Sequence, residues 1–168
     1  MKISKTSEVL LSMLNDIDYV LSRSQTSLGW GRSVTDLRKI DVAKDRRSRY
    51  RILRDLEKQK IVELKKEGER LYARLTDHGF SEALKRKILT TGKELPSFEA
   101  CLVVFDVPED MKGVRNMFRR ILKQARFYMV QRSVWETTRD VVNELDELVR
   151  LMNAEKYILV YRVMRKRH

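Results

Sequence analysis

The sequence predicts an α+β protein with two domains, and three observations carry this prediction. Residues 1–91 show helical apolar stripes interrupted by one pair of β-like runs. Residues 100–168 show strand and helix patterns in the order βαββαβ. Between them, residues 92–99 contain Gly92 and Pro96, which interrupt the periodicity on either side. We therefore expect a first domain at 1–91, a linker at 92–99 and a second domain at 100–168.

The charge of the chain points to a polyanionic partner. The 168 residues include 36 Lys and Arg against 24 Asp and Glu, which gives a net charge of +12 and a pI near 10.0. Residues 1–95 carry 22 basic and 14 acidic residues, and residues 96–168 carry 14 and 10. Nucleic acid and an anionic membrane surface are the polyanions that such a charge attracts.

Several classes of protein are disfavoured by what the sequence lacks. Cys101 is the single cysteine, so an intramolecular disulfide and a cysteine zinc cluster are excluded. His78 and His168 are the only histidines, so the sequence offers few candidates for a histidine-based catalytic triad or metal cluster. The glycine-rich phosphate loop of ATPases is missing. No apolar segment approaches the ~20 residues of a membrane span, so we expect a cytoplasmic protein with no membrane partner.

The N-terminal elements begin with a helix. Its apolar stripe, with i, i+3, i+4, i+7 spacing, consists of Leu10, Met13, Leu14, Ile17, Val20 and Leu21. Ser33 and Asp36, three residues apart, predict the start of a short second helix. Asp45 is the predicted N-cap of a third helix over residues 46–60.

A hairpin and a further helix follow. Two β-like runs between residues 61 and 75 flank Glu67 and Gly68, and the glycine supplies the positive φ that a tight turn needs. Helical spacing returns over residues 76–89. Three helices, a hairpin and a closing helix are the plan of a winged helix-turn-helix, in which a helix enters the major groove of DNA.

The third helix carries the candidate DNA contacts. Ile52, Leu53 and Leu56 can face a core, whereas basic residues occupy another face. The alternative is a solvated surface helix, but only Asp55 and Glu57 offset seven basic residues between 46 and 60. The predicted contacts to double-stranded DNA are Arg46, Arg47, Ser48, Arg49, Arg51, Arg54 and Lys58 on the helix and Lys65, Lys66 and Arg70 at the hairpin.

The second domain has the order of a ferredoxin-like fold. Residues 101–107 form a continuous apolar strand, residues 127–137 hold two short strands, and residues 156–163 form the last strand. Apolar stripes between residues 114 and 125 and between 141 and 152 predict the two helices. Both helices would cover one face of an antiparallel sheet. Because the other face also needs cover, we expect a homodimer formed through residues 100–163.

Two motifs of this domain resemble those of known families. The segment VVFDVPED (Val103 to Asp110) is followed by a basic helix and then by FYMVQRSVWET (Phe127 to Thr137). This combination resembles the ferredoxin-like domain shared by the small CRISPR-associated endonuclease of spacer acquisition and the phenylacetate-catabolism repressor (PaaX-like) family. The element QRSVW is the most specific one, and the proline of FDVPE with Trp135 is closer to the repressors. An N-terminal winged helix extends the resemblance to the whole chain.

The resemblance implies a role for Asp106 in one of the two families. In the endonucleases, the strand-end aspartate binds a divalent metal such as Mg²⁺ at the dimer axis, and Asp106 is the matching residue. Its structural alternative is a turn residue whose side chain accepts N–H groups beyond Pro108. Glu109 and Asp110 are expected in the first turn of the next helix, where the helix dipole favours acids.

Two functions follow from these expectations. The first is a dimeric DNA-binding transcriptional regulator, a PaaX-like repressor that needs no cofactor and has no catalytic residue. The second is a metal-dependent nuclease or a component of CRISPR adaptation that uses Asp106 and Mg²⁺. The repressor family carries a further C-terminal domain, whereas this sequence ends at YRVMRKRH. Recognition of an acyl-CoA effector is therefore not carried over.

Overall fold

The computed structural model describes residues 4–21, 34–36, 46–67 and 70–165. The side chains of residues 15–21, 34–36, 46–49, 67, 70 and 71 lie outside the description. The fold is α+β and divides into two compact units, residues 1–83 and 84–168. In the part of the chain that the structure describes, no helix is both long and apolar enough to cross a bilayer.

The first unit combines helices with a small antiparallel sheet. Its elements are α1 (Lys5–Leu21), β1 (Val34–Asp36), α2 (Arg46–Lys58), β2 (Val62–Glu67), β3 (Arg70–Leu75) and the beginning of α3 (Asp77–Thr90). The strands of the sheet lie in the order β1-β3-β2. The third predicted helix, the hairpin and the closing helix are thus observed at their predicted places.

The short second helix was predicted to start where the structure has a strand. Val34–Asp36 pairs with β3, so that Val34 lies opposite Arg74 and Asp36 opposite Tyr72. Val34 and Thr35 are β-branched and favour extended backbone, and the ladder to β3 satisfies backbone groups that a capping box could satisfy only locally. The rest of that predicted helix and the predicted cap Asp45 lie outside the described residues.

The core of the first unit lies between α1, α2 and the hairpin. The predicted stripe of α1 is buried as far as its side chains are described. Residues that are at most 7% exposed are Val9, Leu10, Met13 and Leu14 of α1, Leu53 and Leu56 of α2, Ile61, Val62, Ala73 and Leu75 around the hairpin, and Ala83 of α3. The burial of Leu53 and Leu56 decides which side of α2 faces outward.

Thr76 and Gly79 fasten the start of α3 to the end of α2. The Thr76 hydroxyl donates to the Lys60 carbonyl at 2.6 Å and accepts the Gly79 N–H at 2.9 Å. A Cβ on Gly79 would lie 1.8 Å from the Ile61 carbonyl oxygen. Only glycine permits this approach, because any side chain would displace backbone rather than a flexible group.

The second unit contains a four-stranded antiparallel sheet and two complete helices. Its elements are the end of α3, β4 (Glu99–Phe105), a 3₁₀ turn (Glu109–Met111), α4 (Lys112–Gln124), β5 (Tyr128–Gln131), β6 (Val134–Thr137), α5 (Val142–Leu151) and β7 (Ile158–Met164). The strands lie in the order β5-β6-β4-β7. From β4 onward the order is βαββαβ, which is compatible with the expected ferredoxin-like domain.

Both helices of this domain lie on one face of β4. Cys101, Val103 and Phe105 are at most 3% exposed. The Phe105 ring meets that of Phe118 in α4 edge to face, with centroids 6.4 Å apart. At the other end of the strand, Cys101 lies near enough to Glu144 of α5 for its charge to act on the thiol. On the opposite face of β4, which α4 and α5 do not cover, Leu102 and Val104 are half-buried.

Arg139 joins the ends of two helices in the second unit. Its Nη1 donates to the Ala125 carbonyl after α4 at 3.1 Å. Its Nη2 donates to the Leu89 carbonyl of α3 at 3.3 Å and also to the Thr91 carbonyl. Partial burial, together with the charge of Arg126, lowers the pKa of Arg139. The terminal carbonyls of a helix need such donors, and a guanidinium supplies several at once.

We expect Arg139→Met to lower the free energy of unfolding by about 2–3 kcal/mol, because carbonyls away from bulk water lose charged donors. Urea unfolding followed by circular dichroism measures this loss. Arg150→Met is the matched control, since Arg150 is 60% exposed and makes surface ion pairs with Asp146 and Glu147. That control should cost at most about 1 kcal/mol. Equal losses in both variants would contradict the role of Arg139.

Burial, with smaller effects from Asp140 and Glu144, raises the pKa of the Cys101 thiol from 9.0 to about 12. In the unfolded chain the thiol ionises above pH 9, whereas in the folded chain it keeps its proton. Stability therefore falls as pH rises through this window. Between pH 8 and pH 10, wild type should lose about 1.4 kcal/mol more than Cys101→Ala. Parallel pH profiles in urea unfolding would refute this assignment.

Candidate nucleic-acid interface

The outward side of α2 carries the predicted basic residues. Leu53 and Leu56 are buried, whereas Arg51, Arg54 and Lys58 are exposed. Ile52, predicted to face the core, is half-buried. The backbone of Arg46, Arg47, Ser48 and Arg49 forms the first turn of the helix, but their side chains lie outside the described residues. The structure thus places three of the seven predicted helical contacts on the exposed side.

Arg54 is held by its own helix. Its Nε and Nη2 donate to the Tyr50 hydroxyl at 3.0 and 2.7 Å, and its Nη1 pairs with the Glu57 carboxylate at 3.0 Å. The guanidinium also lies 5.2 Å from the Tyr50 ring centre. These hydrogen bonds raise the pKa of Arg54. Tyr50, 47% exposed, was not predicted as part of the site, although its i, i+4 spacing to Arg54 was a usable signal.

Arg51 and Lys58 present free cations. Among the residues whose side chains are described, neither makes an ion pair or a side-chain hydrogen bond. Arg51 offers five N–H donors in a planar fork, which match a phosphate or the O6/N7 edge of guanine. Arg51 is therefore the side chain of α2 that is best prepared to bind an external anion.

The hairpin adds a second basic element. Lys65 and Lys66 are exposed near the end of β2, and the side chain of Arg70 lies outside the description. On the same hairpin, Arg74 donates its Nε to the Glu63 carboxylate at 2.6 Å from the directly opposed position. This cross-strand pair neutralises Arg74. The predicted Lys65 and Lys66 lie in the distal half of the strand.

The two motifs that carry the family resemblance meet at the C-terminal end of the central strand β4. The Phe105 N–H donates to the Ser133 carbonyl at 2.9 Å, and the Asp106 N–H donates to the Tyr157 carbonyl at 2.8 Å. Trp135 is buried opposite Val103. QRSVW therefore supplies the turn between β5 and β6 and a core tryptophan, while Asp106 follows the strand end.

Asp106 lies at the surface, directly after β4. It is exposed, and among the described residues its carboxylate accepts no hydrogen bond, so the predicted turn-capping role is not observed. Glu109 lies in the 3₁₀ turn before α4, close to its expected place, and pairs with Arg115 at 2.8 Å. No three potential ligands cluster in the described ranges. Asp106 is thus an exposed carboxylate at the end of β4 with no side-chain partner in these ranges.

The face of the sheet opposite the helices carries apolar side chains along β4 and β7. Leu102 lies opposite Tyr161, and Val104 lies between Leu159 and Val134. Leu159 and Tyr161 are 45% and 47% exposed. We call these five side chains the open face.

A polar cluster lies beside the open face. Arg165 donates its Nη2 to the Tyr128 hydroxyl at 2.8 Å and its Nε pairs with the Glu136 carboxylate at 2.8 Å. The Tyr128 hydroxyl also donates to Glu136. Burial and this hydrogen bond raise the pKa of Tyr128. The charges of Arg165 and Glu136 compensate each other within the cluster. The apolar side chains of the open face are therefore the groups available for contact with a partner.

Comparison with known families supports the resemblance for the second unit. Residues 101–168 match the family model described as the PaaX protein central Cas2-like domain. A search of curated proteins finds no match. The matched segment includes both motifs, FDVPED and QRSVW. The predicted resemblance to the PaaX-like family is thereby confirmed over these residues.

Proposed function

We propose that this chain, whose residues 101–168 form a Cas2-like domain of the PaaX type, is a dimeric DNA-binding transcriptional regulator that acts as a repressor. The observation that carries the proposal is the exposed guanidinium of Arg51, which has no ion-pair partner among the described side chains, on a helix whose other side is buried. The net charge of +12 supplies the general attraction to DNA. The remaining steps concern how DNA is read and how two chains combine.

The first unit acts as a winged helix. α2 is followed within four residues by the β2–β3 hairpin, which is the arrangement of a recognition helix and its wing. The outward side of α2 enters the major groove, and the lysines of the hairpin contact the adjacent backbone. The residues proposed to bind DNA are Arg46, Arg47, Ser48, Arg49, Arg51, Arg54, Lys58, Lys65, Lys66 and Arg70.

The contacts of α2 differ in what they contribute. Arg51 has no competing partner among the described side chains and is proposed to read a base edge. Arg54 shares its charge with Glu57 and is oriented by Tyr50, so it is proposed to contact a phosphate. Phosphate contacts fix the register of a protein on the duplex, whereas base contacts carry the sequence information.

The open face is the proposed dimer contact. A sheet face bearing partly exposed Leu159 and Tyr161 gains by being covered, and two copies of one apolar face are self-complementary about a two-fold axis. A dimer carries two reading helices at a fixed separation and therefore selects two half-sites. Binding of such a dimer at a promoter represses by excluding polymerase.

We expect Arg51→Ala to weaken binding to the selected operator by about 1–3 kcal/mol, or roughly 5- to 150-fold, because a bidentate base contact is lost. Fluorescence anisotropy with a duplex obtained by selection from random DNA measures the effect. Arg150→Ala removes the same charge from the exposed side of α5 and should leave operator affinity almost unchanged. Unchanged affinity in Arg51→Ala would rule out the base contact.

We expect Tyr161→Lys to convert the dimer to a monomer, because two lysines cannot be buried against each other's apolar face. Sedimentation equilibrium measures the mass, and binding to a two-half-site operator should weaken while binding to one half-site persists. Asn143→Lys adds the same charge to the exposed side of α5 and should remain dimeric. A Tyr161→Lys dimer with unchanged affinity would place the dimer contact elsewhere.

A further inference from the structure

The positive charge of residues 96–168 is concentrated in one stretch. Residues 111–135 contain seven basic residues and no acid. The remainder of 96–168 contains seven basic residues and ten acids. Most of the concentrated charge belongs to α4, which has five basic residues and no acid. The net positive charge of this part of the chain therefore comes entirely from α4 and the segment that follows it.

The helix presents its free cations outward. Phe118, Ile121 and Leu122 are buried against the sheet. The exposed positions Lys112, Asn116, Arg120 and Lys123 follow i, i+4, i+8, i+11 spacing and form one stripe about 17 Å long. Arg126, also exposed, lies just beyond the helix end. We call Lys112, Arg120, Lys123 and Arg126 the α4 basic face.

Three of the four charges of this face are not compensated within the described residues. Arg120, Lys123 and Arg126 make no ion pair there, whereas Lys112 pairs with Glu109 at 3.8 Å. Two other basic side chains of the helix already have interaction partners. Arg115 pairs with Glu109 at 2.8 Å, and the Arg119 guanidinium lies 5.5 Å from the Phe105 ring centre. The occupied cations and the free ones thus form separate rows on the helix.

The neighbouring helix α5 shows the opposite pattern. Its three acids are each paired: Glu144 with Lys87 at 3.1 Å, and Asp146 and Glu147 with Arg150 at 2.7 and 3.8 Å. Because these acids are already engaged, α5 of a second copy is a poor partner for the α4 basic face. The paired acids of α5 therefore do not compensate the α4 basic face, which is open to an anion of another molecule.

The helix dipole explains only part of the arrangement. Cations near the C-terminus are favoured there, which covers Lys123 and Arg126. Lys112, however, is the first residue of the helix, where the dipole disfavours a cation. Arg126 has a positive φ of 62°, a conformation that glycine adopts at lower cost. Helix stability therefore does not explain Lys112, and it explains the charge of Arg126 but not its backbone conformation.

The chemistry of the face fits the sugar-phosphate backbone of a nucleic acid. A helix that lies on an anionic membrane carries exposed apolar side chains beside its cations. On α4 no large hydrophobic residue is exposed. A stripe that carries cations and no acid instead matches a DNA duplex, which carries one negative charge per ~1.7 Å of its axis.

From these observations we infer that the α4 basic face is a second DNA-binding surface, which contacts phosphates and reads no bases. The inference rests on the proposed DNA binding by this chain, but it uses a different unit from α2. Contacts to phosphates add affinity that depends on salt and not on sequence. The second unit therefore holds DNA as well as joining two chains.

The test compares two doubly substituted full-length chains. Arg120→Gln/Lys123→Gln removes two charges from the α4 basic face. Arg150→Gln/Lys156→Gln removes two exposed charges from elsewhere in the same unit. Circular dichroism and thermal unfolding verify that both variants fold, since all four side chains are exposed. Fluorescence anisotropy then gives the affinity for operator and for random duplex between 50 and 200 mM salt.

The α4 variant should bind both duplexes more weakly, with a log–log salt slope shallower by about 1.8 and an unchanged ratio of operator to random affinity. The control variant should keep the slope of wild type. Equal slopes in all three proteins would overturn the inference. So would loss of binding to phosphatidylserine vesicles with DNA binding intact, since the face would then serve a membrane.

Failure of this inference can be separated from failure of the proposed function. If Arg51→Ala weakens operator binding while the α4 variant matches its control, the inference is overturned and the reading helix stands. If the α4 variant loses affinity for both duplexes while Arg51→Ala loses none, the inference is supported and the base contact of α2 is not.

Discussion

The burial of one face of β4 is the constraint on which the second unit depends. β4 lies between β6 and β7, so its backbone is hydrogen-bonded on both edges. Its side chains then divide strictly by position, with Cys101, Val103 and Phe105 under the helices and Leu102 and Val104 on the other face. A shift of one residue in register would exchange the two sets. The position of Asp106, the open face and the outward side of α4 all follow from this register.

Which basic side chains are paired with carboxylates matters as much in this protein as how many there are. Arg54, Arg74 and Arg150 are exposed or half-buried cations, yet each is paired with a carboxylate of its own unit. Arg51 and Arg120 are exposed without such a partner in the described residues. Counting basic residues therefore overstates the surface available to DNA. The uncompensated cations on α2 and α4 define the proposed sites.

Much of the fold could be predicted because it depends on local periodicity. The stripes of α1, α4 and α5 and the two β-like runs between residues 61 and 75 indicated their elements directly, whereas the predicted turn residue Gly68 lies outside the described residues. The helix predicted from Ser33 was wrong at its start, because Val34–Asp36 gains a ladder to β3 that local capping signals do not reveal. In the candidate site, the exposure of Arg51 could be predicted from Leu53 and Leu56. The hydrogen bonds from Arg54 to Tyr50 could not be predicted, because the i, i+4 spacing permits this contact without requiring it.

By itself the sequence determined the α+β class, the order of elements in the second unit, and the motifs that match the PaaX central domain, because each depends on residue type and spacing along the chain. Only the tertiary structure decided which charges remain free and that Arg139 joins the ends of α3 and α4. The reason is that ion pairs and carbonyl capping join groups up to 63 residues apart. Such partners are selected by packing, which one-dimensional periodicity does not encode.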